Sequence, residues 1–507
     1  MRKQASRLRE TGQRGLGFDV VERAAEPGAK RFEMPRRATL AFGDGLLSRY
    51  LETAGEKWVL ELVKFLGEFD WKPFEEKYDG QKGRVPIHPQ VLLGLILYGI
   101  WAGRSTLREM EALARLDLGA MYVCGGIQPD FTTLARFLGR HEQYLSQGFF
   151  EELTKKLFAR LRVKPRNIAV DGTVIEAVSS RHSMLKAEAA RAAADAARAE
   201  AEKVPSDAAA QRRAEAAETA AAAVEFRQAK LNAEGKKGEP RVAPAEPESV
   251  MQPRKDGAMR PGFVSSVAVA EDTGLITGID VRGSGETQAV PSLVAQHRRT
   301  TGVDVERMLA DGNYAKAEVL RLALEANINF LAPAGRGRDL TRRGNDGKIS
   351  KSDFKYDESS DSYRCPDGRT LHFRWVDKSR EEKPRVYRGD CSGCPLREKC
   401  TSGKGDRTIS RFAGDELKEA LHHVMQQPEA RRDHARRNQV ERVFASLKTI
   451  LGFTRFTRRG QAKALMEMSL HCAVLNLRRA LVGLAAVFFA LARPKLPVVR
   501  LAQYAAP

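Results

Sequence analysis

A chain of 507 residues holds 85 Lys and Arg against 65 Asp and Glu, a formal charge of +20. That excess points to a polyanionic partner, and the length to two or three domains with ample core. Ala480–Leu491 is apolar but spans only twelve residues between Arg478–Arg479 and Arg493, and the first forty residues lack a signal-peptide apolar core. Neither pattern suits a membrane span or an export signal, so the expectation is a cytoplasmic protein at the nucleoid.

Residues 1–47 read as a basic, flexible arm, the first forty holding ten Lys and Arg and five acids. Residues 48–160 read as an all-α domain. Leu92, Leu93, Leu95, Ile96 and Leu97 form an apolar helix behind Pro86–Pro89. Ser105–Glu109 gives an N-cap and a helix start, and Thr132–Leu138 a further helix. Short helices joined by tight turns suit a helix-turn-helix-like DNA-binding unit, or a plain packing domain.

An α/β pattern follows over 161–182, 255–335 and 410–480. Asn167–Val178 reads as a strand. Val264–Ala270 and Leu275–Val281 read as a hairpin around Glu271–Gly274. Val290–Arg298 is a short helix, Arg307–Ala310 a strand, Lys316 to about Ala326 a helix, and Asn329–Ala332 the last strand. Two insertions interrupt the pattern. In 183–254, 22 Ala fall between Ala187 and Ala233, and Pro205 followed by Ser206-Asp207 marks a break and a new N-cap. Two helices in a hairpin are expected there, with a loose tail through Pro253, as an exposed arm or a spacer. The second insertion, 336–409, holds Cys365, Cys391, Cys394 and Cys400. Four thiols with one CxxC pair suit a structural zinc site; the alternative is incidental cysteines in a loop-rich insertion. Cys124 and Cys472 lie far away and read as buried hydrophobes. Residues 481–507 read as a C-terminal helix and tail.

Acids at two apolar strands and one basic helix draw attention. Asp171 follows Ile168-Ala169-Val170 and precedes Gly172, and Asp311 follows Met308-Leu309-Ala310 and precedes Gly312. Strand ends are where open α/β sheets place ligands, although Asp-Gly also forms ordinary turns. In Arg431–Lys448, read as a helix, Arg437, Glu441 and Lys448 fall within about 40° of one another. Val440, Val443, Phe444, Leu447 and Leu451 share the adjoining face. A carboxylate between two cations suits a divalent metal beside a phosphate. A solvated basic helix with one Arg437/Glu441 pair is the plain alternative.

The order Asp171, Asp311, Glu441, set in VDGT, ADGNY and R-x3-E-x6-K, resembles the DDE transposases of bacterial insertion sequences. More narrowly it is similar to the IS-four/IS-five superfamily, whose signature is Tyr-x2-Arg-x3-Glu-x6-Lys/Arg. Arg437, Glu441 and Lys448 match, and His434 stands in place of the Tyr. GFTRFTRRG and Asn476–Arg478 also resemble the family's tail, and the likeness spans roughly residues 60–480. It implies an RNase H-like core, a mixed five-stranded sheet with helices, preceded by the all-α domain. In such a sheet the first and fourth strands lie side by side. It also implies Asp171, Asp311 and Glu441 as catalytic residues holding two Mg²⁺ (or Mn²⁺) ions about 3.5–4 Å apart. Arg437 and Lys448 would hold phosphates and His434 the terminal backbone. The charge pattern adds Arg455, Arg458 and Arg459, since Arg431–Arg459 holds nine Lys and Arg against two acids. The implied partners are double-stranded DNA, both terminal inverted repeats and target, and a second copy of the chain. Two rivals remain at this point: an RNase H-like nuclease or resolvase without strand transfer, and a domesticated DNA-binding protein.

Overall fold

The computed structural model describes residues 32–78, 85–233, 235, 237–254, 257–333, 349–380, 382–401 and 405–482. Residues 1–31 of the expected arm and 483–507 of the expected tail lie outside them. The chain divides into two compact units.

The first unit comprises, of the described residues, 32–161, 445–457 and 466–482. Residues 32–47 are not part of a free arm. Phe32, Leu40 and Leu47 are buried, and a small hairpin, β1 (Ala41–Phe42) with β2 (Gly45–Leu46), runs into the first helix. Three buried apolar side chains dock the segment, whose two arginines are balanced by Glu33 and Asp44. Helices α1 (Leu47–Thr53), α2 (Lys57–Gly67) and α3 (Lys72–Glu75) precede α4 (Pro89–Trp101), in which every residue is buried. Proline occupies its first turn, and the His88 Nδ1 accepts the Gln90 N–H. Helix α5 (Leu107–Leu116) starts at a reciprocal cap of Thr106 and Glu109. Helix α6 (Leu118–Cys124) stops at Gly125, whose φ of 61° and close approach to Pro35 admit no side chain. Helix α7 (Phe131–Arg140) is capped by Asp130, and α8 (Phe149–Leu161) completes the N-terminal part.

The second unit is built on a six-stranded mixed sheet among the described residues. Its first strand is β3 (Asn167–Glu176). The Ala-rich insertion follows. A two-residue bridge joins β4 (Leu185–Lys186) to β5 (Arg241–Val242), and between them lie α9 (Ala187–Lys203) and α10 (Ala208–Ala233). The two helices pack through Ala190, Ala194, Ala220, Ala221 and Val224, and Arg191 pairs with Glu218 and Glu225. Small faces let the helices approach closely where large anchors are lacking.

The expected loose tail is instead a strand, β6 (Val250–Pro253), which pairs with β7 (Met259–Ala270). The sheet therefore has one strand more than expected. Pro253 is tolerated because it ends an edge strand. β7 also pairs with β8 (Ile276–Arg282) and, on its other side, with β3, all antiparallel. Helix α11 (Val290–Thr301) leads to β9 (Arg307–Leu309), α12 (Ala317–Glu325) to β10 (Asn329–Leu331), and β10, β9 and β3 lie parallel in that order.

The cysteine-bearing insertion folds around a second sheet, a meander of β11 (Lys355–Asp357), β12 (Ser362–Arg364), β13 (Thr370–Val376), β14 (Arg385–Arg388) and β15 (Thr408–Arg411). Phe354, Tyr363, Leu371, Tyr387 and Ile409 form its core. The short α13 (Arg397–Cys400) lies before β15. Helices α14 (Asp415–Gln426), α15 (Pro428–His434) and α16 (Asn438–Thr449) then return to the main sheet's unit, and α16 continues into the first unit. Most of the last helix, α17 (Gln461–Val482), also belongs to the first unit rather than to the α/β unit expected over 410–480. Among the described residues no helix is long and apolar enough to cross a membrane.

His297 on α11 is fully buried, its Nε2 donating to the Pro165 carbonyl (3.1 Å) and its Nδ1 meeting the Thr277 hydroxyl (3.1 Å). Burial pushes its pKa down from 6.5 to about 4. The unfolded chain thus takes up a proton that the folded chain refuses. The stability contributed is whole above about pH 6.5 and is lost as pH falls toward 4. Urea denaturation across that window should show stability falling with pH. His297→Gln should lessen the slope by one proton, about 1.4 kcal/mol per pH unit at most.

Candidate active site

The register of two parallel strands sets Asp171 and Asp311 together. β3 and β9 pair from Asn167↔Arg307 to Ala169↔Leu309, and each acid lies two residues beyond the last pair. Neighbouring strands run about 4.8 Å apart, so equal overhangs place the two residues side by side. β3 runs past Asp171, as the strand expected over Asn167–Val178 does. It continues to Glu176, because β7 pairs with it throughout Ile168–Glu176. What ends at that level is β9, and its stop exposes one edge of β3. Past β9, the Asp311 carboxylate accepts the Asn313 N–H (2.8 Å) and caps a 3-10 turn over Gly312–Tyr314.

Arg437 joins Asp171 to Glu441. One guanidinium nitrogen lies 2.8 Å from Asp171 Oδ2 and the other 3.2 Å from Glu441 Oε1. Asp171 and Arg437 are largely buried, whereas the Glu441 side chain is 61% exposed in the first turn of α16. The helix expected over Arg431–Lys448 is broken: α15 ends at His434, Ala435–Arg437 form a 3-10 turn, and α16 starts at Asn438. Arg437 still meets Glu441 as an i, i+4 pair across the junction, as expected. The break falls at three anchors to the sheet. His434 Nε2 donates to the Ala310 carbonyl (2.9 Å), Arg436 pairs with Glu271 (2.8 Å) and Arg437 with Asp171. On α16 the expected packing face is buried at Val440, Val443, Phe444 and Leu447.

Burial pushes the Asp171 carboxyl up to about 6. Arg437 and the Gly172 N–H pull it down, while Asp311 and Glu441 push it further up. Desolvation thus outweighs an ion pair of good geometry. Burial likewise lowers His434, so its ring is neutral at ordinary pH and fixed by the carbonyl next to Asp311. Lys448 lies seven residues past Glu441 on α16 and is half-buried. Arg455 and Arg459 are exposed on the irregular segment before α17, with Arg458 half-buried between them; Lys448 and Arg455 belong to the first unit, Arg458 and Arg459 to the second.

Two groups escaped the sequence reading. Glu286 begins a 3-10 turn after β8, and a Cβ added at Gly172 would lie 3.2 Å from its carboxylate carbon. It follows Gly283-Ser284-Gly285 after a strand, without the apolar run directly before it or the glycine directly after it that marked Asp171 and Asp311. Arg307 on β9 is buried between Glu271 and Asp433 (2.7 Å to each), partners distant in sequence that no local pattern reveals.

The donor set is all carboxylate oxygen, which suits a hard cation such as Mg²⁺ or Mn²⁺. Among the described residues no three His, Cys, Asp or Glu side chains already stand at metal-holding spacing. Arg437 supplies the positive charge between Asp171 and Glu441.

In the second sheet, Cys365, Cys391, Cys394 and Cys400 all line one cavity of about 20 Å³. None is in a disulfide. Cys365 opens a turn closed by Gly368 N–H to its carbonyl (2.9 Å), with Gly368 at φ 82°. Cys391 opens a second, closed by the Cys394 N–H (3.3 Å), with Gly393 at φ 64°. The Arg407 N–H points to the Cys391 sulfur (3.4 Å), and the Cys394 thiol to Asp367 (3.6 Å).

Residues 364–481, which include Arg437, Glu441 and all four of these cysteines, match the family described as "Transposase DDE domain". Residues 57–140, from α2 to the end of α7, match "Transposase domain (DUF772)". Together the two matches support a DDE transposase of an insertion sequence. No curated protein matches it. Asp171, Asp311 and Glu286 lie outside both matched stretches, so their place in the transposase rests on the geometry above.

Proposed function

We propose that this transposase binds the double-stranded ends of its own insertion sequence, cleaves phosphodiesters there and joins the freed 3′-hydroxyl to target DNA. The observation that carries the reading is Arg437, which gathers Asp171 and Glu441 beside the strand end bearing Asp311. The strand order, with β3 flanked by β9 and β7, suits an RNase H-like core. Asp171, Asp311 and Glu441 would hold Mg²⁺ or Mn²⁺. Such ions activate the attacking oxygen and stabilise the leaving one. In this reading the carboxylates exchange Arg437 for the cation, and the released guanidinium takes a phosphate oxygen. His434 positions the Asp311 turn through Ala310. Lys448, Arg455, Arg458 and Arg459 neutralise backbone phosphates, which makes binding salt-dependent. Two chains would act on paired ends.

Purified full chain, Mg²⁺ and DNA bearing the element's ends, run on a denaturing gel, test the reading. Asp171→Asn, Asp311→Asn and Glu441→Gln should each lower cleavage on the order of a hundredfold or more, about 3 kcal/mol of barrier, with end binding retained. A variant with near-normal cleavage removes its residue from the site. Cleavage without joined product favours a nuclease that does not transfer strands.

The four cysteines support structural zinc in the same chain. Two tight turns with left-handed glycines present Cys365 and Cys391/Cys394 to one small cavity, and Cys400 closes it from α13. Four thiolates fill a tetrahedral shell, and N–H donors to sulfur offset their charge. The small core beside them gains a cross-link that its few apolar residues need. Elemental analysis should find about one zinc per chain, lowered by Cys391→Ser or Cys394→Ser with loss of thermal stability. Wild-type protein free of any bound metal would refute the site.

A further inference from the structure

We infer that Glu286 is a fourth carboxylate of the same metal site, placed by Gly172 against Asp171. The inference rests on the metal-dependent reading of Asp171 and Asp311 and extends it to a residue that neither matched family stretch contains.

The fold brings Glu286 there by a route independent of β9 and α16. β8 lies next to β7 and β7 next to β3. After β8, Gly285 at φ 86° turns the chain into the 3-10 turn Glu286–Ala289, which runs directly into α11. The side chain then lies over the backbone of Gly172. An added Cβ at that position would stand 3.2 Å from its Cγ and Cδ and 3.3 Å from Oε1. Glycine there lets the carboxylate settle a few tenths of an ångström closer to β3 than a side chain would, one residue from Asp171.

The surroundings of Glu286 lack an answering charge. Among the described residues its carboxylate makes no hydrogen bond and no ion pair. The fields of Asp311 and Asp171 both act on it, opposed by Lys316. The Lys316 ammonium bonds the Thr287 hydroxyl (3.3 Å), and that hydroxyl donates to Glu318 (3.0 Å). Arg437 is bound to Asp171 and Glu441 and does not reach Glu286. Tyr314 is fully buried in the field of Glu286, Asp171 and Asp311, and its hydroxyl has no hydrogen-bond partner, Ser266 being near but out of bonding geometry. Three half-buried acids and an unsatisfied hydroxyl around one place are costly in isolation. A hard divalent cation removes that cost, because every donor is oxygen and the ion supplies the missing charge. Glu286 is then a ligand held on rigid sheet-and-turn structure, whereas Glu441 comes from an exposed helix start.

Mn²⁺ binding to the DNA-free full chain, followed by electron paramagnetic resonance of the free ion, tests the assignment without depending on activity. Glu286→Gln should weaken Mn²⁺ about tenfold or more, with the melting temperature in the absence of metal held or raised. Gly172→Ala supplies a second variant that removes no carboxylate from the chain. Its new methyl pushes the Glu286 carboxylate aside by a few tenths of an ångström, and it should weaken Mn²⁺ in the same direction. If both variants keep wild-type affinity while Asp171→Asn and Asp311→Asn lose it, Glu286 is not a ligand and the metal reading stands. If the Asp variants keep it too, the metal reading itself fails. Should Glu286→Gln not fold, wild-type affinity in Gly172→Ala overturns the assignment by itself.

Discussion

Arg307 sits at the start of β9 with its guanidinium shared between Glu271, just past β7, and Asp433 on α15. Glu271, Arg307 and Asp433 are buried, and the partly exposed Arg436 adds a second cation to Glu271. This cluster fixes the segment that carries His434, Arg437 and Glu441 to the sheet that carries Asp171 and Asp311. Removing one partner would leave a buried charge unanswered, at about 3–5 kcal/mol. The site's geometry therefore depends on a network outside it, at the opposite end of β9 from Asp311.

The site opposes the protein's overall charge. A chain of +20 attracts DNA at long range. The proposed reaction centre gathers Asp171, Asp311, Glu286 and Glu441, whose surplus negative charge would repel a phosphodiester. Arg437 compensates part of it, yet burial still holds Asp171 at about 6. In the proposed function metal and DNA would be coupled: a cation held by the carboxylates would compete with Arg437, whose guanidinium could then meet phosphate. Basic residues and acidic centre would serve successive needs, first capture and then chemistry.

Much of the sheet was legible because its strands are apolar runs bounded by turn residues, as at Ile168–Val170 and Met308–Ala310. The adjacency of Asp171 and Asp311 was legible only through the family resemblance, which implies neighbouring first and fourth strands, as β3 and β9 are. The packing face of α16 was legible from period alone. Three things were not. The break at Ala435–Arg437 comes from anchors to Ala310, Glu271 and Asp171, all distant in sequence. The docking of Phe32–Leu47 rests on three buried apolar residues in a charge-balanced segment, and averaging it with the basic residues before it hides them. The strand at Val250–Pro253 has four residues and a proline, too little pattern to stand out, and only the edge of β7 makes it a strand. Glu286 belongs to a different class, since it lacks the apolar run and the following glycine that marked the two aspartates, and no motif drew attention to it.

The most direct measurement replaces the catalytic cation with Fe²⁺ and maps where peroxide-generated radicals cut the polypeptide of the full-length, DNA-free protein. The account predicts cuts clustered around residues 171–172, 286, 311 and 441, suppressed by excess Mg²⁺. Cuts confined to other parts of the chain, or a pattern unchanged by excess Mg²⁺, would contradict it.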